Sequence, residues 1–156
     1  MRKKLTKWEN SEELKLWIKL SRATNSIHKS NELLLRDLGL SGAQFGVLDA
    51  LIHRGKQNQK EIGEKILCST GNMTMVIKNL EKYGYVTRER KKSDLRHYNV
   101  SITESGKSIV KEALDLIEKN IKMCFDNLDE EEKKYLPTTL KKIGNQNEAA
   151  IPKRND

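Results

Sequence analysis

The chain has 156 residues, 30 Lys and Arg against 22 Asp and Glu, and a net charge of +8. That length suits one domain with a real core, and the surplus of cations makes nucleic acid or another acidic surface the leading partner. The opening stretch MRKKLTKWENSEELK has no apolar secretory segment and no later run nears the roughly 18 apolar residues that span a bilayer, so a cytoplasmic protein with no membrane partner is expected.

Leu14, Trp17, Ile18 and Ser21 recur at i, i+3, i+4 and i+7, and no Gly or Pro interrupts residues 9–38, which predicts a long first helix. Ser41 and Gln44 have the spacing of a capping box and precede Phe45, Leu48, Leu51 and Ile52, so a second helix runs to His53 and stops at Gly55. Asn58 and Glu61 repeat that signature before a short third helix, KEIGEKIL, with Ile62 and Ile66 apolar. Ser69 or Thr70 caps a fourth helix, in which Met73, Val76, Ile77 and Leu80 form a stripe and Gly84 ends the run. Its outer face is then Thr70, Gly71, Asn72, Thr74, Met75, Lys78 and Asn79.

After Gly84 the period changes to two. Residues 85–90 and 96–102 read as strands, with Tyr98, Val100 and Ile102 inward and a polar KKSD tip between them. This hairpin concentrates Arg88, Arg90, Lys91, Lys92 and Arg96, a self-repelling cluster that suits a polyanion better than a fold. Thr103 and Gly106 open a fifth helix, residues 103–125, about 35 Å long at 1.5 Å per residue. Its apolar positions, from Ile109 and Val110 to Cys124 and Phe125, exceed what a small lobe covers and ask for a partner surface. Asp129 and Glu132 cap a sixth helix, where Pro137 predicts a kink or an early stop. Past Gly144 the sequence NQNEAAIPKRND lacks periodicity and predicts a frayed end, with 147–156 as a flexible tail.

A helix pair joined by a tight turn, the second member polar-faced, followed at once by a basic hairpin, is the order of a winged helix-turn-helix, a mainly α fold with a small β-hairpin wing. Small amide and hydroxyl side chains on a helix can reach base edges in the roughly 12 Å major groove, and a cationic hairpin suits the neighbouring backbone or minor groove.

The stretch QKEIGEKILCSTGNMTMVIKNLEKYGYVTRERKKSDLRHYNVSITESGKS resembles the core of the MarR family of transcription regulators. It shares the Leu-Glu-x-x-Gly close of the recognition helix, the Asp-x-Arg wing and the Thr-Glu-x-Gly start of the fifth helix. The likeness reaches LSGAQFGVLDAL and, more loosely, residues 10–145. It implies a homodimer on a pseudo-palindromic operator, most simply a repressor released by a small molecule. One domain over 1–146 would hold a DNA-binding lobe, 38–103, and dimerisation helices, 9–37 and 103–146.

By that resemblance Arg96 enters the minor groove and Asp94 fixes the tip, while Arg88, Arg90, Lys91 and Lys92 touch phosphates. Thr70, Gly71, Asn72, Met75, Lys78 and Asn79 occupy groove-facing positions, and Ser69 joins Thr70 as a cap that also suits a phosphate. Met75 stands where the family often has Arg, which favours apolar contact with a thymine methyl over a guanine contact. Leu95 replaces a frequent Arg, and Pro137 is unusual in the last helix.

Family members often bind a small aromatic or anionic ligand, to which Trp17, His28, Phe45 and Arg54 could contribute here. Some sense oxidants through a cysteine near the start of the first helix, where this chain has Trp8, Leu14 and Trp17. Cys68 and Cys124 read instead as buried structural thiols, with a redox-responsive repressor using Cys68 as an alternative. No His, Cys or Glu group has metal-ligating spacing, and no cofactor is expected. GxSxG, P-loop and HExxH motifs are absent, so catalysis is not expected; a winged helix gripping RNA or protein is the rival reading.

Overall fold

A computed structural model of the chain describes residues 11–66, 70–91 and 94–150, and within them gives the backbone alone at 64–65, 70–71, 91, 94–97 and 145–150. In chain order the elements are α1 (Glu12–Asp37), α2 (Gly42–Arg54), β1 (Gln57–Asn58), α3 (Gln59–Lys65), α4 (Thr70–Lys82), β2 (Val86–Lys91), β3 (Asp94–Ile102), α5 (Glu104–Phe125) and α6 (Glu130–Ala150). The order is that of a winged helix-turn-helix flanked by long helices. The chain divides into two compact units, Met1–Glu118 and Lys119–Asp156, a boundary inside α5, where the sequence suggests one unit over 1–146.

Local chemistry explains the helix ends. The Ser11 hydroxyl accepts from Leu14 N at 3.2 Å and starts α1. Ser41 and Gln44 exchange both bonds of a capping box, 3.2 and 2.7 Å, and Asn58 and Glu61 do the same at α3, 2.9 and 3.0 Å. At the far end of α4, Gly84 has φ +74°, its N–H bonds Glu81 O at 2.9 Å and Tyr85 N bonds Leu80 O at 2.9 Å. This is the left-handed cap that a side chain adopts at a cost.

The core joins α2, α3, α4, the sheet and the first half of α5. Val47, Leu48, Leu51, Ile62, Met73, Ile77, Leu80, Val100 and Val110 are wholly or almost wholly buried. All four residues of the expected α4 stripe are among the buried set, with Val76 at 7% exposure. The sheet has three antiparallel strands in the order β1-β3-β2. Sequence reading missed β1: its two residues pair Gln57 with Val100 and Asn58 with Asn99, a strand that exists only because β3 lies beside it. Buried Gln57 also donates from Nε2 to Ala50 O at 3.1 Å, pinning the strand to α2. The hairpin strands reach further than expected, to Lys91 and from Asp94, with an irregularity after Arg90.

At the C-terminal end the early stop at Pro137 and the frayed end past Gly144 are corrected. The last helix passes through Pro137 and Gly144 to Ala150. One missing N–H removes one bond, and the helix-forming Lys, Leu and Glu around it are enough to carry the helix on. Residues 147–150 therefore continue α6, while the rest of the expected tail lies outside the described residues. Cys124, expected to be buried, is exposed in the single chain, as are Ile121 and Met123; Cys68 lies outside the described residues.

The start of α5 is seated on the end of α4. Thr103 N–H donates to Tyr85 O at 3.0 Å, and its hydroxyl donates to Gly84 O at 2.7 Å while accepting from Gly106 N at 3.0 Å. A Cβ on Gly106 would stand 2.2 Å from the Tyr85 carbonyl oxygen and 2.8 Å from Ile102 Cγ1. Gly106→Ala should therefore destabilise the fold by about 3 kcal/mol, as a forced backbone shift in a packed junction does. Gly144→Ala, in open space on a helix, should cost nothing and gain up to about 1 kcal/mol. Urea midpoints check both, and a Gly106→Ala midpoint equal to the parent would refute the close seating.

Candidate nucleic-acid interface

The helix α4 presents its polar face because its other face is consumed by the core. With Met73, Val76, Ile77 and Leu80 inward, Asn72, Met75, Lys78 and Asn79 are left exposed, Met75 by 58%. Met75 is a single apolar side chain among polar ones, as soluble surfaces commonly carry, so the face is polar apart from it. Thr74, expected on that outer face, is half-buried, and Gln59 Nε2 donates to its hydroxyl, so it stitches α3 to α4. Thr70 and Gly71 lie in the first turn of α4, where the backbone alone is described, and Ser69 lies outside the described residues.

The wing follows within four residues of the end of α4. Arg90 is exposed; its Nε donates to the Tyr98 hydroxyl at 3.2 Å, and its guanidinium carbon lies 5.7 Å from that ring's centre. Arg90 and Tyr98 are directly paired across the strands. Arg88 is the least exposed of the described wing cations, its side chain 20% accessible. Its Nε and Nη2 converge on Glu81 Oε2 of α4, at 2.7 and 2.5 Å, and its guanidinium carbon lies 5.1 Å from the Tyr98 ring centre.

Glu89, facing the other way along the same strand, is held by Lys56. That hydrogen bond, reinforced by the lysine's charge, keeps its carboxyl below the usual carboxylate range. The small stabilisation from this exposed pair is present above the ordinary carboxylate pKa and is lost as pH falls through the lowered one.

Across the tip, Lys91 pairs in register with Asp94, and Arg96 stands two residues further along β3. For these three the backbone alone is described, and Lys92 lies outside the described residues. Sequence reading missed Glu81, Gln59 and the polar role of Tyr98. The alternation that placed Tyr98 on the inward face concealed its exposed hydroxyl end, and Glu81 carried no local signal, since its partner is seven residues away across a turn.

The ligand residues implied by resemblance are Trp17, His28, Phe45 and Arg54. Trp17, His28 and Arg54 are exposed, and Phe45 packs half-buried against the core. The surface clefts among the described residues include one of about 440 Å³ between Arg36 and Ser41 and another of about 510 Å³ among Leu51, Ile52, Lys56, Ile102 and Lys107; none of the four residues lines either. Among the described residues no three His, Cys, Asp or Glu side chains form a metal-holding group, and no helix is long and apolar enough to cross a membrane.

Comparison with known proteins gives the same frame. Residues 40–98 match the family model described as MarR family. The chain is 34% identical over 131 residues to the HTH-type transcriptional regulator MhqR of Bacillus subtilis, covering 84% of this chain and 90% of that one. In fold it is similar to a cysteine-to-serine mutant of MarR from E. coli, at TM-score 0.74 and 22% identity, covering 82% of this chain and 95% of that one. It is also similar to the organohalide-sensing regulator RdhR-CbdbA1625 in its 2,4-dichlorophenol-bound form, at TM-score 0.76 and 22% identity, covering 94% and 88%.

If the α4 face is free for a partner, its side chains contribute little to the fold. Met75→Ala and Lys78→Ala should each move unfolding free energy by no more than about 0.5 kcal/mol. Ile77→Ala, one residue before Lys78 but wholly buried, should cost about 2–5 kcal/mol. Denaturant titration of the three variants checks the assignment.

Proposed function

The chain belongs to the MarR family, and on that premise we propose that this DNA-binding transcription regulator grips a pseudo-palindromic operator as a homodimer and lets go when a small molecule binds. The observation that carries the reading is the division of α4 into a buried stripe and an exposed face of Asn72, Met75, Lys78 and Asn79, with a cationic hairpin directly after it. A helix so divided can lie in a major groove, its amides offered to adenine edges and its Met75 to a thymine methyl. The hairpin then supplies Arg90, Lys91, Lys92 and Arg96 for phosphates and the minor groove, with Asp94 fixing the tip, and Ser69, Thr70 and Gly71 meet the backbone at the head of α4.

Two copies would carry twice the +8 of one chain. Recognition helices about 34 Å apart meet successive grooves on one face of a duplex. Dimerisation is supported by apolar side chains left exposed on the flanking helices, Leu16, Trp17 and Leu33 on α1 and Leu114 and Met123 on α5. A small aromatic or anionic effector, the second part of the proposal, rests on the dichlorophenol-bound form of the similar regulator. It would act by a population shift, favouring a separation of the two recognition helices that no longer matches the operator. Trp17, His28, Phe45 and Arg54 remain the side chains proposed to meet it. The protein reads as a regulator that performs no chemistry, in the cytoplasm.

Operator fragments selected from genomic DNA, titrated by anisotropy over a range of salt, test this reading. Binding should weaken steeply with salt, and Lys78→Ala or Arg90→Ala should each reduce the log–log slope by about 0.9, the share of one phosphate contact. Arg96→Ala should abolish operator binding while sedimentation still shows a dimer. A monomeric protein, or equal affinity for random and selected duplexes at physiological salt, would overturn the reading; preference for single-stranded RNA would favour the rival.

A further inference from the structure

The wing cations do not all have the same freedom. Arg90 ends in solvent, whereas the Arg88 guanidinium is half enclosed, with two of its N–H groups spent on one oxygen of Glu81 and its plane within cation–π reach of Tyr98. Glu81 sits on the last turn of α4, three residues before the Gly84 cap, so the pair bridges the recognition helix and the first wing strand across the turn that separates them. Strand pairing places Arg88 opposite Val100, whose side chain is wholly buried, and two residues from the Arg90–Tyr98 pair. Arg88 and Arg90 thus converge on one tyrosine, and Glu81 holds Arg88 there from α4.

Resting on the DNA-binding reading above, we propose that Arg88 is not a phosphate contact but a strut, and that Glu81 is the positioning residue that holds it, setting the inclination of the wing to the recognition helix. The argument is one of charge and geometry. A guanidinium whose charge is already matched by a carboxylate at 2.5 Å releases few counterions from DNA. A tie between two elements that meet separate parts of a duplex affects affinity by holding both in register, without either partner touching DNA. Arg is suited to this post because its planar fork can bond a carboxylate along one edge and stack on an aromatic ring.

The test uses the full-length protein, the operator fragment selected with it, and affinities corrected to the active fraction by stoichiometric titration. Glu81→Gln and Arg88→Gln should each weaken binding about tenfold, as loss of a charged hydrogen bond does, with the salt slope unchanged. The double variant should bind no more weakly than either single one, because both remove the same tie. Arg88→Lys keeps the charge and the stem but loses the fork, and should also bind more weakly at unchanged slope; it decides the matter if Arg88→Gln does not fold. Arg90→Gln, on the same strand, serves as the contrast and should lower the slope by about 0.9.

The strut is overturned if Arg88→Gln lowers the slope by about 0.9, if Arg88→Lys binds like the parent, or if Glu81→Gln binds as well as the parent or better, as removing a carboxylate near phosphates would produce. Failure of the parent itself to prefer operator duplex is a different result and strikes the DNA-binding reading instead.

Discussion

The contact of Gly106 with the carbonyl of Tyr85 is the constraint on which the lobe's geometry turns. At this point four things meet: the left-handed cap of α4, the first residue before β2, the last residue of β3 and the first turn of α5. Thr103 links them with three bonds from one residue, to Gly84 O, Tyr85 O and Gly106 N, and Ser105 adds a second hydroxyl to Gly84 O at 2.9 Å. No side chain fits between α5 and this turn, so a helix can be laid directly on backbone. Packing at such density is rigid rather than compliant, and a movement of the head of α5 must carry the recognition helix and the root of the wing with it. On the proposed reading, that rigidity turns a ligand-driven shift in one long helix into a shift of the DNA-reading surface.

The net charge of +8 overstates what is available to an external polyanion in some places and hides it in others. Lys56 is matched by Glu89, Lys107 by Glu104, Lys133 by Glu130 and Arg88 by Glu81. Three of these pairs are well exposed and are worth little to stability, since water screens them. The fourth, Arg88 with Glu81, is the partly dehydrated one, and like Lys56 with Glu89 it joins different elements rather than one turn of a helix to the next. Charge on this surface therefore divides between cations that shape the lobe and cations that project from it, and composition alone cannot draw that line.

Helix positions were legible because their signals are local: three capping boxes, their partners three residues apart, and glycines at 55 and 84 whose positive φ ends a run. The inward stripe of α4 was legible for the same reason, since a period of 3.6 residues is written in the chain. What escaped depends on a second element. β1 has two residues and exists through β3; Thr74 turns from the outer face because Gln59 reaches it from α3; Arg88 changes character because Glu81 lies across a turn. At Pro137 the early stop gave way in the opposite sense, since one missing N–H was outweighed by the helix around it. The order of elements supplied the meaning of the wing, a cationic hairpin directly after a polar-faced helix, and the family pattern then assigned roles to its residues.

The flanking helices pose an energetic question that the lobe does not. In α1, a helix of 26 residues, Leu35 is the one side chain that is fully buried, while Leu16 and Trp17 are more than 60% exposed. In α6 the described side chains include none that is buried. In proteins most helical stability comes from tertiary contact along an apolar stripe rather than from propensity. Covering each large apolar side chain returns roughly 1.5–3 kcal/mol, which is the support these exposed residues lend to the proposed pairing of two copies. On the proposed reading, pairing of two copies is what completes these helices, and the separation of the two recognition helices is set by the same contacts that make α1 and α6 stable. Folding of the ends and spacing of the DNA-reading surfaces then become one equilibrium, which an effector bound near those helices can move.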